Sequence, residues 1–421
     1  MLTDHQRALV TATVPALREH GETVTRLFYA DLFATHPELW NMFNPANQRD
    51  GGQARSLAAS VLAYAEHIDH PERLGRMVER ISGKHGSLEV KAEHYPIVGH
   101  HLLSAIKQVM GGTATPDILD AWGAAYGQLA AIMMGTEQAL YDKGAAQVGG
   151  WRGFRPFRVA RKVEESEVIS SFYLQPVDGA PLPPFKPGQY VSVQVRPEGF
   201  AYEQIRQYSL SCAPDAAEWR ISVRREDAPP GVPDAPAGLV SGHLHHALQA
   251  GDVLRVHMPQ GDFVLDDGDA PVVLLSGGAG ITAVLSMLEH LAGPDGGTRE
   301  AVFLHAARSR GHHAFGPHLR ALAQARPGLR VAVAYEEAGP DDVPGTHHDA
   351  VGRITADLIR QHLPERDARF YYCGPLGFMA ATQAALDQLG IPLARRFSEA
   401  FAPDPSFAAA DGVPAPQVQM A

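Results

Sequence analysis

The chain has 421 residues, 45% hydrophobic and 20% charged, which is too long for one core and points to two or three domains. Its net charge of −11 argues against a nucleic-acid partner, which needs a basic surface. Two cysteines, Cys212 and Cys373, cannot build a disulfide framework and fit a reducing cytoplasm. The N-terminus MLTDHQRALV lacks the form of a signal peptide, and no apolar run reaches the roughly 18 residues that span a bilayer.

Residues 1–145 read as an all-helical domain of six to eight helices. TDHQRALVTATVPALREHG predicts one helix, capped by Thr3 or Asp4 and ending on Gly21. The next segment places Val24, Leu27, Phe28 and Leu32 at helical spacing, with Tyr29 beside Phe28. HPELWNMFNPANQRDGGQARSL reads as a loop carrying Phe43, with a helix resuming near Gln53. Leu57 follows Gln53 by four and shares its face. KHGSLEVKAEHY sets a lone His85 after an apolar helical stretch, with Tyr95 ten positions on. A long helix, DAWGAAYGQLAAIMMGTEQALYDK, closes the region. Most of the 21 histidines, including the pairs His245–His246 and His312–His313, are expected at the surface.

The pattern changes at VGGWRGFRPFRVARKV. Residues 151–265 carry short alternating runs separated by Pro and Gly: FRVARKV, ISSFYLQPV, QYVSVQV, RQYSLS, WRISVRRE and DVLRVHMP. They predict an antiparallel β-barrel or sandwich. Residues 266–406 alternate strand and helix, as in PVVLLSGGAGITAVLSMLEHL and RFYYCGPLGFMAATQAAL, which predicts an α/β layer on a parallel sheet. The tail 407–421, rich in Ala and Pro, is expected to be disordered.

Candidate chemistry follows the three regions. A helical domain with a Phe in a loop, a polar residue on one helix and a later lone His is the arrangement of a haem pocket. Taken singly, each of these has an ordinary reading as core or surface. In the barrel, RQYSLS places Arg206 and Tyr208 on one face of a strand and Gln207 and Ser209 on the other. An Arg pairs with pyrophosphate and a Tyr stacks on a flavin ring. Tyr190 follows a Pro-Gly turn, and Val240 and Ser241 lie where GLVSGHLHHAL enters a helix, a place for phosphate. In the α/β layer, Gly277, Gly278 and Gly280, followed by Ile281 and Thr282, let backbone approach a pyrophosphate. Cys373 and Gly374 end a strand at the sheet's carboxyl edge, where ligands bind. HAARSRGHHAF flanks Ser309 with Arg308 and Arg310, cations able to receive a 2′-phosphate, so NADPH is expected to be tolerated.

The segments FYADLF, HPELWNMFN, NQRDGGQ, KHGSLEVKAEHYPIVGHHLL and DAWGAAYGQLA resemble the globin domain of bacterial flavohaemoglobins. The later motifs resemble the flavin and nucleotide domains of the ferredoxin-reductase superfamily, in that family's order. The resemblance implies that His85 is the proximal ligand of a b-type haem iron and that Tyr95 and Glu137 are its partners. It makes Tyr29 the distal hydrogen-bond donor, with Gln53 and Leu57 lining the distal side and Phe43 on the porphyrin. Lys84 is expected to face the flavin side. At the end of RRFSEAFAP, Glu399, Ala400, Phe401, Ala402 and Pro403 match the family's flavin-covering segment, with Ala400 and Ala402 where relatives carry Cys and Gly. Thr282–Ala283 likewise replaces the usual Thr-Pro. The implied activity is nitric oxide dioxygenase: NAD(P)H gives a hydride to FAD, FAD gives single electrons to haem, and dioxygen and nitric oxide become nitrate. The partners are then O2, NO and NAD(P)H, and the chain is expected to be a cytoplasmic monomer. A haem-based sensor or store with an attached reductase, or a diaphorase reducing soluble acceptors, are the other readings.

Overall fold

The computed structural model describes residues 2–401 except 215, 229–230 and 232–235. Ala402, Pro403 and the tail 407–421 therefore lie outside the described residues. The chain divides into two compact bodies, one of residues 1–146 with 200–205, the other of 147–199 with 206–402.

The first body holds α1 (Asp4–Ala12), α2 (Val14–Thr35), α3 (Pro45–Arg49), α4 (Gly52–Glu66), α5 (Gly75–Ser87), α6 (His94–Met110) and α7 (Pro116–Ala145). Thr3 starts α1 with a capping box closed by Gln6. The predicted helix 3–21 is two helices: α1 stops at Ala12, and Pro15, in the first turn of α2, starts a new one. Gly21 does not end a helix. It lies inside α2, and a Cβ there would sit 3.6 Å from Ala58 Cβ of α4, so it marks a close helix crossing. Phe28, Leu32, Tyr64, Leu74, Met77, Ile106 and Trp122 fill the core between these helices.

The second body begins with β1 (Arg155–Glu164), β2 (Ile169–Pro176), β3 (Tyr190–Val195), β4 (Gln204–Ser209, its first two residues counted with the first body), β5 (Trp219–Arg224), α8 (Leu239–His246) and β6 (Val253–Val256). All six runs read as strands are strands, in the order β4-β3-β6-β1-β2-β5. A bridge from Leu210 to Ile221 joins the two ends, so the antiparallel sheet closes into a barrel. Phe157, Phe172 and Trp219 fill it, with Phe157 stacked on Trp219 at 5.4 Å between ring centroids.

The α/β layer follows: β7 (Val272–Gly277), α9 (Ile281–Ala292), β8 (Ala301–Ala307), α10 (Gly316–Ala325), β9 (Leu329–Tyr335), β10 (Ala350–Val351), α11 (Ala356–His362), β11 (Arg369–Cys373), α12 (Leu376–Gln388) and β12 (Arg396–Glu399). Its parallel sheet runs β10-β9-β8-β7-β11-β12. The strand order therefore reverses between β7 and β11, which opens a crevice at their carboxyl ends. β7 is buried along its whole length, as a strand covered on both faces must be.

Several histidines expected at the surface are not there. His101, His257, His305 and His348 are buried, and half-buried His245 and His313 bond to Val223 O and Tyr335 Oη. His101, His257 and His305 each give one ring nitrogen a partner, Asp31, the Met258 carbonyl and Ser276 Oγ in turn, which scattered sequence positions do not reveal. No described helix is long and apolar enough to cross a membrane.

Candidate active site

In the first body, α5, α6 and α7 bring three sequence-distant groups together. Tyr95 Oη donates to Glu137 Oε1 at 2.6 Å, and the same carboxylate oxygen lies 2.9 Å from His85 Nδ1. Tyr95 Oη is 3.2 Å from that nitrogen. A carboxylate only accepts, so Nδ1 carries the proton and Nε2 keeps its lone pair for a metal. Glu137 is only 3% exposed, which strengthens its pull on that proton. Burial, and then the Glu137 carboxylate beside it, push the Tyr95 phenol far above its ordinary pKa, so it stays a donor. The donor set fits a haem iron: one neutral imidazole nitrogen with its ring held by an outer carboxylate.

Opposite elements α2 and α4 supply Tyr29 and Gln53. The two side chains hydrogen-bond, and burial drives the Tyr29 hydroxyl well above its ordinary pKa, with the Gln53 bond partly offsetting the rise. Tyr29 meets Phe43 edge-on at 5.8 Å, and Leu57 packs on the same core. Lys84 precedes His85 on α5.

Sequence reasoning missed the support of Tyr95. Tyr126 Oη donates to the Tyr95 carbonyl at 2.6 Å, and its ring occupies the space that Gly99 leaves, where a Cβ would lie 2.5 Å from Cε1. Gly99 and Tyr126 are 27 positions apart, and only the packing of α6 on α7 couples them.

In the barrel, Arg206, Gln207 and Tyr208 are half-buried and Ser209 is buried on β4. Burial lowers the Arg206 guanidinium to about 10 and raises the Tyr208 phenol. Tyr190 starts β3, and its ring lies over Gly261. α8 begins at Leu239, so Val240 and Ser241 stand in its first turn. The Ser241 hydroxyl donates to Gly238 O and accepts from Glu226 N. A half-buried cation and a helix N-terminus suit an anionic dinucleotide such as FAD.

In the α/β layer, four glycines and a phenyl ring form one cradle. Gly278 has φ +50, a left-handed turn. A Cβ on Gly280 would lie 2.7 Å from Gly374 N and closer still to the Cys373 carbonyl. Cβ atoms on Gly277 and Gly374 would strike the Phe378 ring at 2.7 and 2.5 Å. Phe378 escaped the sequence reading because an aromatic inside YYCGPLGFM looks like helix core. Ile281 opens α9, and the Thr282 hydroxyl donates to Ala279 O. Register places Ser276, Cys373 and Glu399 side by side on β7, β11 and β12. Burial, with the Glu399 charge adding to it, holds the Cys373 thiol far above its usual range, so it is a neutral thiol. Ala400 is half-buried and Phe401 exposed. The bare backbone cradle at the sheet's switch point fits a nicotinamide dinucleotide. Arg308 and Arg310 are exposed, and their side chains form no hydrogen bond or ion pair among the described residues.

Residues 26–133 match the model of the globin family, and 274–384 match that of the oxidoreductase NAD-binding domain. A flavohemoprotein of Deinococcus radiodurans is 58% identical over 97% of this chain and 99% of its own. One from Bordetella pertussis is 51% identical over 95% and 98%. Among solved structures, the flavohemoglobin of Malassezia yamatoensis, with bound FAD and haem, superposes with a TM-score of 0.81 at 28% identity, covering 95% of this chain and 99% of that one. The FAD/NAD-binding domain of nitric oxide dioxygenase from Vibrio cholerae covers 59% of this chain and 99% of its own, with TM-score 0.52 and 38% identity.

Proposed function

The chain belongs to the flavohaemoprotein family, a globin joined to an NAD(P)H-dependent flavin reductase, and we propose that within it the protein is a nitric oxide dioxygenase. When bound, NAD(P)H supplies hydride, FAD divides it into single electrons, and haem binds the dioxygen that oxidises nitric oxide to nitrate. The observation that carries the reading is the hydrogen-bonded set His85–Glu137–Tyr95. By accepting the Nδ1 proton, the buried carboxylate makes the imidazole a stronger donor through Nε2, a push that suits oxygen activation. A sensor, a store or a diaphorase gains nothing from it.

The remaining roles follow from chemistry and placement. Tyr29, kept protonated, donates toward a ligand carrying negative charge, and Gln53 orients its hydroxyl. Phe43 and Leu57 exclude water, and Lys84 adds a positive field beside the proximal ligand. Arg206, Ser209, Val240 and Ser241 hold the flavin pyrophosphate, Tyr190, Gln207 and Tyr208 its ring system, and Glu399, Ala400 and Phe401 cover it. Gly277, Gly278, Gly280, Ile281, Thr282, Cys373 and Gly374 receive the nicotinamide nucleotide, and Arg308 and Arg310 accept a 2′-phosphate. The globin is 1–145, the flavin barrel 151–265 and the nucleotide domain 266–406. The buried, unbridged Cys212 and Cys373 suit a reducing cytoplasm, where the protein acts as a monomer. The test is nitric oxide consumption by reduced enzyme in oxygenated buffer, with nitrate measured as the product.

A further inference from the structure

Glu289, near the carboxyl end of α9, is 14% exposed and serves three elements at once. Its Oε1 accepts from Arg220 Nη2 at 2.6 Å and from His318 Nε2 at 2.8 Å, and its Oε2 accepts from Ala213 N at 3.0 Å. Arg220, on β5, is buried and donates in turn to the Ser211 carbonyl and, through Nε, to Ser211 Oγ at 3.1 Å. Burial opposes ionisation of the Glu289 carboxyl, yet His318 and Arg220 hold it below the usual range, so the pair is charged. Phe315, just before α10, caps the Arg220 guanidinium at 5.2 Å.

The position matters more than the ion pair. Ser211 lies two residues beyond Arg206–Ser209, the strand segment assigned to flavin. α9 starts at the Gly278–Gly280 turn assigned to the nucleotide. It is one helix of 12 residues, about 18 Å long. One end is therefore the nucleotide cradle, and the other is fastened to the flavin strand. Elsewhere the junction has a backbone hydrogen bond from Glu167 N to Gly311 O at 2.9 Å, and apolar packing of Ile169, Phe263 and Leu265 against α9. Such packing resists separation but is non-directional and tolerates small slides. A buried charge-assisted hydrogen bond, here from Arg220 Nη2 to Glu289 Oε1, does not.

We propose that the Glu289–Arg220 pair is a positioning latch that sets the spacing between flavin and nicotinamide, and so the rate of hydride transfer. The proposal rests on the reductase reading and not on the nitric oxide reaction. Neither residue touches a cofactor site, and both act through Ser211 and α9.

Anaerobic stopped-flow mixing with NADH separates the two readings. Wild-type enzyme that fails to reduce its flavin would remove the reductase reading itself. The variants are Glu289→Gln, which keeps an acceptor for Ala213 but loses the charge, and the double variant Arg220→Met/Glu289→Gln, which leaves no unpaired buried cation. We expect FAD content to be unchanged and amide exchange at Ala213 to quicken. The limiting rate of flavin reduction should fall about tenfold or more, and the long-wavelength flavin–nicotinamide charge-transfer absorbance should weaken. The NADH concentration at half-maximal rate should stay within about twofold, because the cradle is intact. Full reduction rate and charge-transfer absorbance in either folded variant would overturn the latch. Loss of FAD from both would also overturn it, by assigning the pair to stability alone.

Discussion

Tyr95 and Glu137 stand 2.6 Å apart, phenol to carboxylate, and both reach the same nitrogen of His85. Tyr126 holds the Tyr95 backbone carbonyl from three turns earlier on the helix that carries Glu137, which ties the base of the phenol to that helix. The carboxylate accepts from the imidazole N–H at 2.9 Å, which fixes the tautomer that leaves Nε2 unprotonated.

Glu137→Gln keeps the shape of this set and removes its charge. Changing such an outer partner alters function by about 10- to 100-fold. Nitric oxide consumption should drop by about tenfold or more, and the iron–histidine stretching frequency of the ferrous protein should move down. An unshifted frequency would mean that the carboxylate does not act on His85.

Tyr29→Phe should release dioxygen faster. A hydrogen bond to a charged acceptor is worth about 1.5–3 kcal/mol, roughly tenfold to a hundredfold in off-rate. Flash photolysis of the variant and wild type compares them, and equal off-rates would place the Tyr29 hydroxyl elsewhere.

Gly280→Ala drives a methyl into the backbone at Cys373–Gly374. Overpacking of this kind costs about 1–3 kcal/mol, and here it falls on the nucleotide cradle. NADH-driven flavin reduction should fall more than about tenfold, while FAD and haem contents hold and dithionite still reduces the flavin. Normal NADH kinetics would refute the cradle.

Acid should weaken the second body first. Burial holds His257 and His313 down to about 4 and His305 well below its ordinary value. A histidine with folded pKa below the unfolded value of about 6.5 favours the native state only while neutral. That stability is complete above pH 6.5 and is lost as pH falls toward 4. At pH 5 His257 and His313 each lose on the order of 1–2 kcal/mol, and His305 adds to the loss in the same direction. Denaturant unfolding followed by flavin release should show a lower midpoint at pH 5 than at pH 7; an unchanged or higher midpoint contradicts this.

The sequence was most legible where a signal is local. Six barrel strands were found from alternation, and the turn between β7 and α9 from the glycines before Ile281. The helix boundary at Gly21 was misplaced because a glycine at a helix crossing looks like one at a helix end. The local cue that counted was Pro15. Tyr126, Phe378 and the Glu289–Arg220 pair were invisible because their meaning lies in contacts 31, about 100 and 69 positions away. The buried histidines were missed for the same reason: a residue type that suits both surface and core is sorted only by tertiary packing.

The central claim is that this chain turns nitric oxide into nitrate with dioxygen and reducing equivalents from NAD(P)H. The direct measurement is stopped-flow mixing of NADH-reduced enzyme, equilibrated with oxygen, against nitric oxide, with nitrate quantified. The account predicts one nitrate per nitric oxide consumed, sustained over many turnovers and nearly abolished in His85→Ala. Consumption without nitrate, or the same nitrate yield from His85→Ala, would contradict it.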